Sequence, residues 1–158
     1  MTGIRITDII NAERGMHKVV EQSPLQRDEI LSERYGCNIY FKREDLQVVR
    51  SFKIRGAYHL MQTLDAESLT RGVVCASAGN HAQGVAYSCK LMKVKGVIFM
   101  PSTTPKQKVR QVSYFGGEWI EVVLTGDTFD EAYEEAMDYC KRNNSNFIHP
   151  FDDERTIV

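Results

Sequence analysis

Lys53 occupies the position in this sequence at which a side chain is best placed for covalent chemistry. Ser51 is a good helix N-cap, which would make Phe52 and Lys53 the first residues of a helix. A cation in the first turn is opposed by the helix dipole and by the neighbouring Arg50 and Arg55, and these effects favour the neutral amine. A neutral lysine amine attacks carbonyl carbons, as in Schiff-base chemistry. Taken alone, however, a first-turn lysine is more often a solvated side chain.

A second stretch, from Gly72 to Gly84, has the pattern of a strand, a tight turn and a helix. The apolar β-formers after Gly72 give way to small residues from Ser77 to Gly79, and a helical pattern begins near Asn80. In an α/β sheet such a turn lies at the carboxyl end of a strand, where ligands bind. The amides at the start of the next helix suit an anion such as a carboxylate. An ordinary βα connection has the same pattern.

The rest of the chain alternates between strand and helix patterns. Strands are expected at 38–42, 73–76, 96–100, 119–124 and 147–148. The predicted helix caps are Ser51 for the lysine helix, Thr7 or Asp8 for the first helix, Thr103 or Thr104 before a helix that starts at Pro105, and Thr128 in a capping box with Glu131. Alternation at this spacing predicts an α/β fold with a three-layer, parallel, doubly wound sheet.

Composition excludes several classes of function. The chain has 158 residues, of which 42% are hydrophobic, so one ordinary domain with a real core is expected. Its 20 basic and 21 acidic residues give a net charge of -1, and no global field recruits nucleic acid or an acidic membrane. Neither a membrane span nor a signal peptide is apparent, which makes the cytoplasm the expected location.

Three groups of residues imitate functional sites. The cysteines form no CxxC pair and are expected to be reduced, buried thiols; they are Cys37, Cys75, Cys89 and Cys140. His149 with the acidic residues 152–154 matches no known coordination loop, so we expect a solvated turn with a capping role and no metal site. The charged turn 43–45 is more typical of a solvated or self-paired loop than of a catalytic dyad.

Two motifs together carry a resemblance to a known family. Ser-Phe-Lys-Ile-Arg-Gly-Ala at 51–57, followed by Ser-Ala-Gly-Asn-His-Ala-Gln-Gly at 77–84, resembles the fold-type II pyridoxal-phosphate enzymes. Within that class the similarity is greatest to threonine dehydratases of the biosynthetic type. Further matching segments lie at 42–47, 101–105, 126–130 and 149–154, so the resemblance extends over nearly the whole chain.

The resemblance implies specific roles for residues in the two motifs. Lys53 matches the lysine that binds the cofactor pyridoxal 5'-phosphate covalently and serves as base. Asn80 matches the asparagine that bonds the ring oxygen of the cofactor, and Phe52 matches the aromatic residue beside the ring. The loop expected to receive the substrate carboxylate contains Ser77, Gly79, Asn80 and His81. A histidine in a first helical turn is, by its chemistry alone, more often hydrogen-bonded structure than a general acid.

The activity implied is deamination of L-threonine to 2-oxobutanoate and ammonia, the step that leads toward isoleucine. A serine dehydratase or a β-replacement synthase of the same cofactor class is the neighbouring alternative. A catalytically silent fragment with a structural or interaction role is the third reading. The resemblance further implies an amino-acid substrate and a homo-oligomer of the complete enzyme.

The resemblance also implies a division of the chain. Residues 1–54 match an N-terminal segment of the large domain, 55–150 match the small βα domain, and 151–158 return toward the large domain. The family's glycine-rich phosphate loop and its hydroxyl residue near the pyridine nitrogen have no match in this sequence. The 158 residues are therefore expected to be inactive alone. Apolar faces at Ile6, Ile9, Ile10 and strand 38–42 are expected to be uncovered and to promote self-association.

Overall fold

The structure is a computed structural model that describes residues 3–158. The part of the chain before Lys53 contains helices and a two-stranded sheet. Its elements are α1 (Ile6–Met16), β1 (Leu25–Arg27), α2 (Glu29–Tyr35), β2 (Tyr40–Lys42) and a 3₁₀ turn at Glu44–Leu46. The strands β1 and β2 pair in antiparallel fashion, and every residue of both is exposed. This small sheet therefore contributes no buried residue to the core.

The remainder of the chain forms a four-stranded parallel sheet with helices on both faces. The strands are β3 (Val73–Ala76), β4 (Gly96–Met100), β5 (Ile120–Leu124) and β6 (Asn146–Phe147). The helices are α3 (Lys53–Gln62), α4 (Ala66–Thr70), α5 (Asn80–Met92), α6 (Lys106–Gly116), α7 (Phe129–Asn143) and α8 (Glu154–Ile157). The spatial order is β5-β4-β3-β6. The direction of winding therefore reverses between β3 and β6, which is the position where open α/β sheets bind ligands.

Two apolar layers join the helices to the sheet. Successive residues of β3 alternate between them, because side chains of a strand point to opposite faces: Val73 and Cys75 enter the larger layer, Val74 and Ala76 the smaller. The larger layer includes Leu60 of α3, Val85 of α5, Val112 of α6 and Ile98 of β4. The smaller layer includes Phe99 of β4 and Ala136 of α7. The predicted three-layer parallel α/β fold is confirmed.

Several element boundaries differ from the prediction. The strand expected at 38–42 is limited to Tyr40–Lys42, and Trp119 lies in a 3₁₀ turn before β5 rather than in the strand. The short helices α4 and α8 were not predicted, since a helix of one turn shows no apolar period. Among the described residues, no helix combines the length and the apolar character needed to cross a bilayer.

The predicted caps of α1 and α6 are wrong. The N-cap of α1 is Arg5, and Asp8 accepts a hydrogen bond from the Arg5 backbone N–H at 2.9 Å. Asp8 therefore reaches back from the first turn instead of preceding it. The N-cap of α6 is Pro105; Thr104 is buried, and the Thr103 hydroxyl donates instead to the Asp127 carbonyl oxygen at 3.2 Å. A tertiary contact thus takes the Thr103 hydroxyl away from the helix, and the buried Thr104 hydroxyl has no hydrogen-bond partner among the described residues.

The cysteines are all free, as predicted, but they are not all buried. Cys75 and Cys89 are fully buried and Cys140 is half-buried, whereas Cys37 is exposed. Burial raises the pKa of the Cys75 and Cys89 thiols, which keeps both sulfur atoms protonated and unreactive. The exposure of Cys37 follows from its position directly after Gly36, whose left-handed φ of 63° ends α2 and turns the chain outward.

The predicted capping box at the start of α7 is confirmed and can be tested. Thr128 Oγ1 accepts from the Glu131 backbone N–H at 3.3 Å, and Glu131 Oε2 accepts from the Thr128 N–H at 3.1 Å. We expect Thr128→Ala to lower the free energy of unfolding by about 1 kcal/mol because an N-cap acceptor is lost. Urea denaturation followed by circular dichroism measures the change. Ser113→Ala is the control, since this exposed hydroxyl bonds only the Val109 carbonyl oxygen within α6; an equal loss in both variants would contradict the prediction.

Candidate functional site

The candidate site is built around Lys53, the first residue of α3. The predicted cap at Ser51 is wrong: Phe52 is the N-cap, it already has helical dihedral angles, and no side chain caps this helix. Ser51 is buried and its hydroxyl has no hydrogen-bond partner among the described residues. The reason lies one residue earlier, because Arg50 adopts a left-handed φ of 59° and this reversal places the Ser51 side chain in the interior.

The Lys53 amine is half-buried and already has a partner. Its Nζ donates to the Pro150 carbonyl oxygen at 2.6 Å and lies 5.3 Å from the centroid of the Phe52 ring. Phe52 itself is 57% exposed. The expected repulsion from Arg55 is reduced, because the Arg55 guanidinium pairs with the Glu44 carboxylate at 2.7 Å. Lys53 is therefore oriented by an acceptor rather than left in water.

The loop between β3 and α5 forms the second part of the site. Its start is held to the sheet by the Ser77 N–H, which donates to the Phe99 carbonyl oxygen at 3.0 Å. Gly79 is the N-cap of α5, and its N–H donates to Ser77 Oγ at 3.2 Å. No side chain caps α5, and Asn80 at its first position is exposed. The first-turn N–H groups of this 13-residue helix are thus available to an anion.

His81 in the first turn of α5 is a buried structural residue. Its Nε2 lies 2.9 Å from the Ile148 carbonyl oxygen, and since a carbonyl only accepts, Nε2 carries the proton. Burial lowers the pKa of His81 to about 4, so the ring is neutral at physiological pH. Nδ1 is buried and has no hydrogen-bond partner among the described residues. The hydrogen-bonded role that the sequence favoured for this ring is confirmed.

The segment Ile148–Pro150, called the strap here, connects the two motifs. It follows β6, and the Ile148 N–H donates to the Val74 carbonyl oxygen at 2.8 Å, which extends the pairing with β3. One strap carbonyl accepts from His81 and another accepts from Lys53. The strap therefore brings the lysine motif and the loop motif together at the point where the winding of the sheet reverses.

Two glycines that we assigned no role allow this convergence. A Cβ on Gly84 of α5 would lie 2.9 Å from the Lys53 carbonyl oxygen, and a Cβ on Gly56 would clash with the Thr156 carbonyl oxygen. The first turn of α3 therefore contacts α5 on one side and α8 on another without intervening side chains. The available signal was the presence of glycine inside two helical patterns, since such a glycine often marks close backbone approach.

A cavity of about 320 Å³ opens beside Lys53, at the lower end of the size range of small-molecule sites. Lys53 and Phe52 line it together with Gly56, Pro150 and Phe151. The predicted residues of the 77–81 loop do not line this cavity and are connected with it through the strap. The described residues thus combine an oriented amine, an exposed aromatic ring and an open helix N-terminus. This set of groups fits an aromatic aldehyde cofactor and a carboxylate substrate.

The charged turn 43–45 and the segment around His149 have structural roles. Arg43 and Asp45 pair with each other at 2.8 Å and are largely exposed, as a self-paired loop would be. His149 Nδ1 accepts from the backbone N–H groups of Phe151 and Asp152 at 3.3 and 2.7 Å, which confirms the capping role. Glu44 differs from its neighbours because its carboxylate points inward to Arg55.

Comparison with known proteins supports the chemistry suggested by this geometry. Residues 17–158 match the family model described as pyridoxal-phosphate dependent enzyme. The chain is 58% identical over its whole length to L-threonine dehydratase biosynthetic IlvA of Halalkalibacterium halodurans, and covers 38% of that protein. It is 60% identical over 150 residues to the protein of the same name in Bacillus subtilis, and covers 36% of it. The chain thus spans little more than a third of the length of these relatives.

Solved structures show the same fold. The processed form of threonine deaminase isoform 2 from Solanum lycopersicum superposes with a TM-score of 0.85 and 43% identity, over 99% of this chain and 44% of that one. Maize serine racemase superposes with a TM-score of 0.89 and 29% identity, over 96% of this chain and 45% of that one. The family match, the aligned relatives and the superposed structures agree, and the chain belongs to the family of pyridoxal-phosphate dependent enzymes.

Proposed function

We propose that this chain forms the lysine-bearing part of an enzyme that deaminates L-threonine to 2-oxobutanoate and ammonia. The observation that carries the proposal is the convergence of the Lys53 amine and the start of α5 on the strap, where the winding of the sheet reverses. The names of the similar proteins, L-threonine dehydratase and threonine deaminase, point to the same substrate.

Pyridoxal phosphate, when bound, supplies an electron-withdrawing ring that takes up the negative charge left on the substrate when its α-proton departs. Among the described residues, Lys53 would hold the cofactor covalently through its amine. Phe52 would pack beside the ring, and Asn80 would donate to the ring oxygen. The exposure of Phe52 and of Asn80 is consistent with both roles, because each side chain is open to a bound group.

The substrate carboxylate binds at the N-terminus of α5. We assign this position to Ser77, Gly79, Asn80 and His81. The first-turn amides of Asn80 and His81 supply the donors, whereas the Ser77 and Gly79 N–H groups already donate to the Phe99 carbonyl oxygen and to Ser77 Oγ. The positive end of the helix dipole favours an anion there. Since no side chain caps α5, the carboxylate replaces the missing acceptor. Binding it by backbone groups alone leaves the rest of the amino acid free to face Lys53.

Lys53 also moves the α-proton. The Pro150 carbonyl oxygen holds the free amine near the sheet edge, and this free amine would accept the α-proton of the substrate. His81 contributes by being neutral: its lowered pKa means that no second cation stands beside Lys53 while it carries the proton. Nucleophile and base are thus one group used twice.

The division of the chain proposed from its sequence is supported by the distribution of exposed apolar side chains. Residues 55–150 form the small βα domain, while 1–54 and 151–158 contribute to a larger one. Ile6, Ile9 and Ile10 of α1 are 70%, 45% and 43% exposed, and the sheet of β1 and β2 is uncovered. Surfaces of this kind mark contacts with other polypeptide, and a homo-oligomer uses them. Free cysteines support a cytoplasmic location.

The first prediction from this function concerns the identity of the nucleophile. In the protein that contains these residues, borohydride reduction in the presence of pyridoxal phosphate should place the label on Lys53, as read by peptide mapping. Lys53→Ala should lower turnover by several orders of magnitude, because nucleophile and base are lost together. Lys90→Ala, at an exposed position of α5, is the matched control. A label on another lysine would refute the assignment.

The second prediction concerns the contact between α5 and the lysine turn. Gly84→Ala should displace Lys53 and weaken cofactor binding by about tenfold or more, because the added methyl group meets backbone that cannot move without shifting the turn. Cofactor titration of the longer protein that contains these residues, followed by absorbance, measures the effect. Gly96→Ala is the control, since its methyl group meets the Cys89 sulfur at 2.6 Å, in the core behind the sheet. Equal weakening in both variants would show that general destabilisation is the cause.

The third prediction separates threonine from serine as substrate. One methyl group in an apolar contact contributes about 1–3 kcal/mol to discrimination. Serine should therefore be turned over with a kcat/KM about 10 to 200 times lower than that of threonine. Steady-state assays with each amino acid, on the longer protein that contains these residues, decide the matter. Complete rejection of serine would contradict the prediction, and a preference for serine would favour the alternative reading of a serine dehydratase.

A further inference from the structure

The Glu44 carboxylate joins the part of the chain before Lys53 to α3. Arg55 donates to it through Nε at 2.8 Å and through Nη2 at 2.7 Å, and the Ser23 hydroxyl donates to the same carboxylate. The Glu44 side chain is 16% exposed and that of Arg55 is 32% exposed. We call Ser23, Glu44 and Arg55 the clamp. Its two parallel bonds define an orientation as well as a contact, because the guanidinium group is planar and rigid.

A second contact holds the loop that precedes Lys53. Gln47 is 1% exposed, and its side chain bonds both backbone groups of Glu21: Oε1 accepts from the N–H at 3.0 Å and Nε2 donates to the carbonyl oxygen at 2.7 Å. Three residues later, Arg50 has a left-handed φ of 59°. A non-glycine residue keeps this conformation only where the surroundings hold it. The path of the chain from Gln47 to Lys53 is thus determined by its contact with residues 21–23.

Arg55 and Lys53 lie in the same turn of α3, two residues and therefore a rotation of about 200° apart. Their side chains have different partners, since Arg55 bonds Glu44 and Lys53 bonds the Pro150 carbonyl oxygen. Both residues line the cavity. Holding Arg55 on one side therefore sets the rotation of the first turn of α3, and that rotation decides whether the Lys53 amine meets the Pro150 carbonyl oxygen.

We propose that Glu44 and Arg55 are positioning residues that orient the Lys53 amine toward the Pro150 carbonyl oxygen of the strap. Arg55 thus has a geometric role in place of the electrostatic one expected from its position in the sequence. The pKa of the Glu44 carboxyl is held below its usual value by the Arg55 guanidinium first and by the Ser23 hydroxyl, which keeps the clamp charged across the physiological range. The importance of Lys53 rests on the proposed function, but the orientation of the Lys53 amine can be measured independently of that function.

The test compares the reactivity of lysine amines in the purified chain with no cofactor present. Limited reductive methylation with isotopically coded formaldehyde, read by peptide mass spectrometry, gives the labelling of Lys53 relative to Lys95. Lys95 is a matched reference, because its amine also donates to a backbone carbonyl oxygen, that of Glu118 at 2.8 Å, far from the clamp. General loosening of the fold raises the labelling of both lysines, whereas loss of the Lys53–Pro150 hydrogen bond raises the labelling of Lys53 alone.

Glu44→Gln should raise the ratio of Lys53 to Lys95 labelling by about threefold or more, the effect of losing one hydrogen bond of ordinary net strength. Arg55→Lys keeps the positive charge but loses the two parallel hydrogen bonds of the guanidinium, and it should raise the ratio by a similar factor. The double variant should show no larger effect than either single change, since the two side chains act as a unit. Asp45→Asn is the control: it removes a charge from the same turn but only breaks the exposed pair with Arg43.

An unchanged ratio in Glu44→Gln or in Arg55→Lys would overturn the proposal, as would a parallel rise of both lysines. A rise in Asp45→Asn equal to that in Glu44→Gln would also overturn it, because any charge loss in the turn would then suffice. If Glu44→Gln does not fold, Arg55→Lys decides alone. Because the labelling requires neither cofactor nor threonine, its outcome is independent of whether the proposed deamination is correct.

Discussion

The pairing of β6 with β3 is the constraint on which the site depends. β6 has only two residues, and its register places Asn146 beside Val73 and Phe147 beside Val74. The next amide continues the same ladder, so the strap must leave the sheet beside the loop that follows β3. Two strap carbonyl groups then face the two motifs. A chain segment with free carbonyl groups at the edge of a parallel sheet is an acceptor surface, and Lys53 and His81 both donate to it.

Close approach of the α3 backbone to α5 and α8 fixes the position of Lys53 relative to this acceptor surface. Glycine at positions 56 and 84 allows α8 and α5 to contact the first turn of α3 directly, so the lysine is held from several directions by rigid elements. Rigid support matters because a reacting group must be placed to within a fraction of an ångström to act efficiently. The same packing leaves Phe52 and Phe151 exposed at the mouth of the cavity. The site is therefore supported by α5 and α8 and is open to solvent at Phe52 and Phe151.

The part of the chain before Lys53 has a different character. Its helix α1 and its small sheet expose apolar side chains, yet its polar residues are well connected to the rest. Gln47 bonds Glu21, and Glu44 bonds Arg55. The N-terminal part thus contributes orientation through buried polar contacts while its apolar faces remain available for other polypeptide. Buried polar contacts are directional, whereas apolar burial is not.

The sequence by itself determined the parallel α/β fold, the capping box at Thr128 and the two motifs that belong to the site, because periodicity, capping and motif spacing are local properties. Tertiary structure alone decided that Ser51 is buried rather than a cap, that Glu44 faces inward, and that the Lys53 amine meets Pro150. The last pair is separated by 97 positions in the chain. No local pattern encodes such a contact, since it arises only when the register of β6 on β3 brings the strap to the lysine turn.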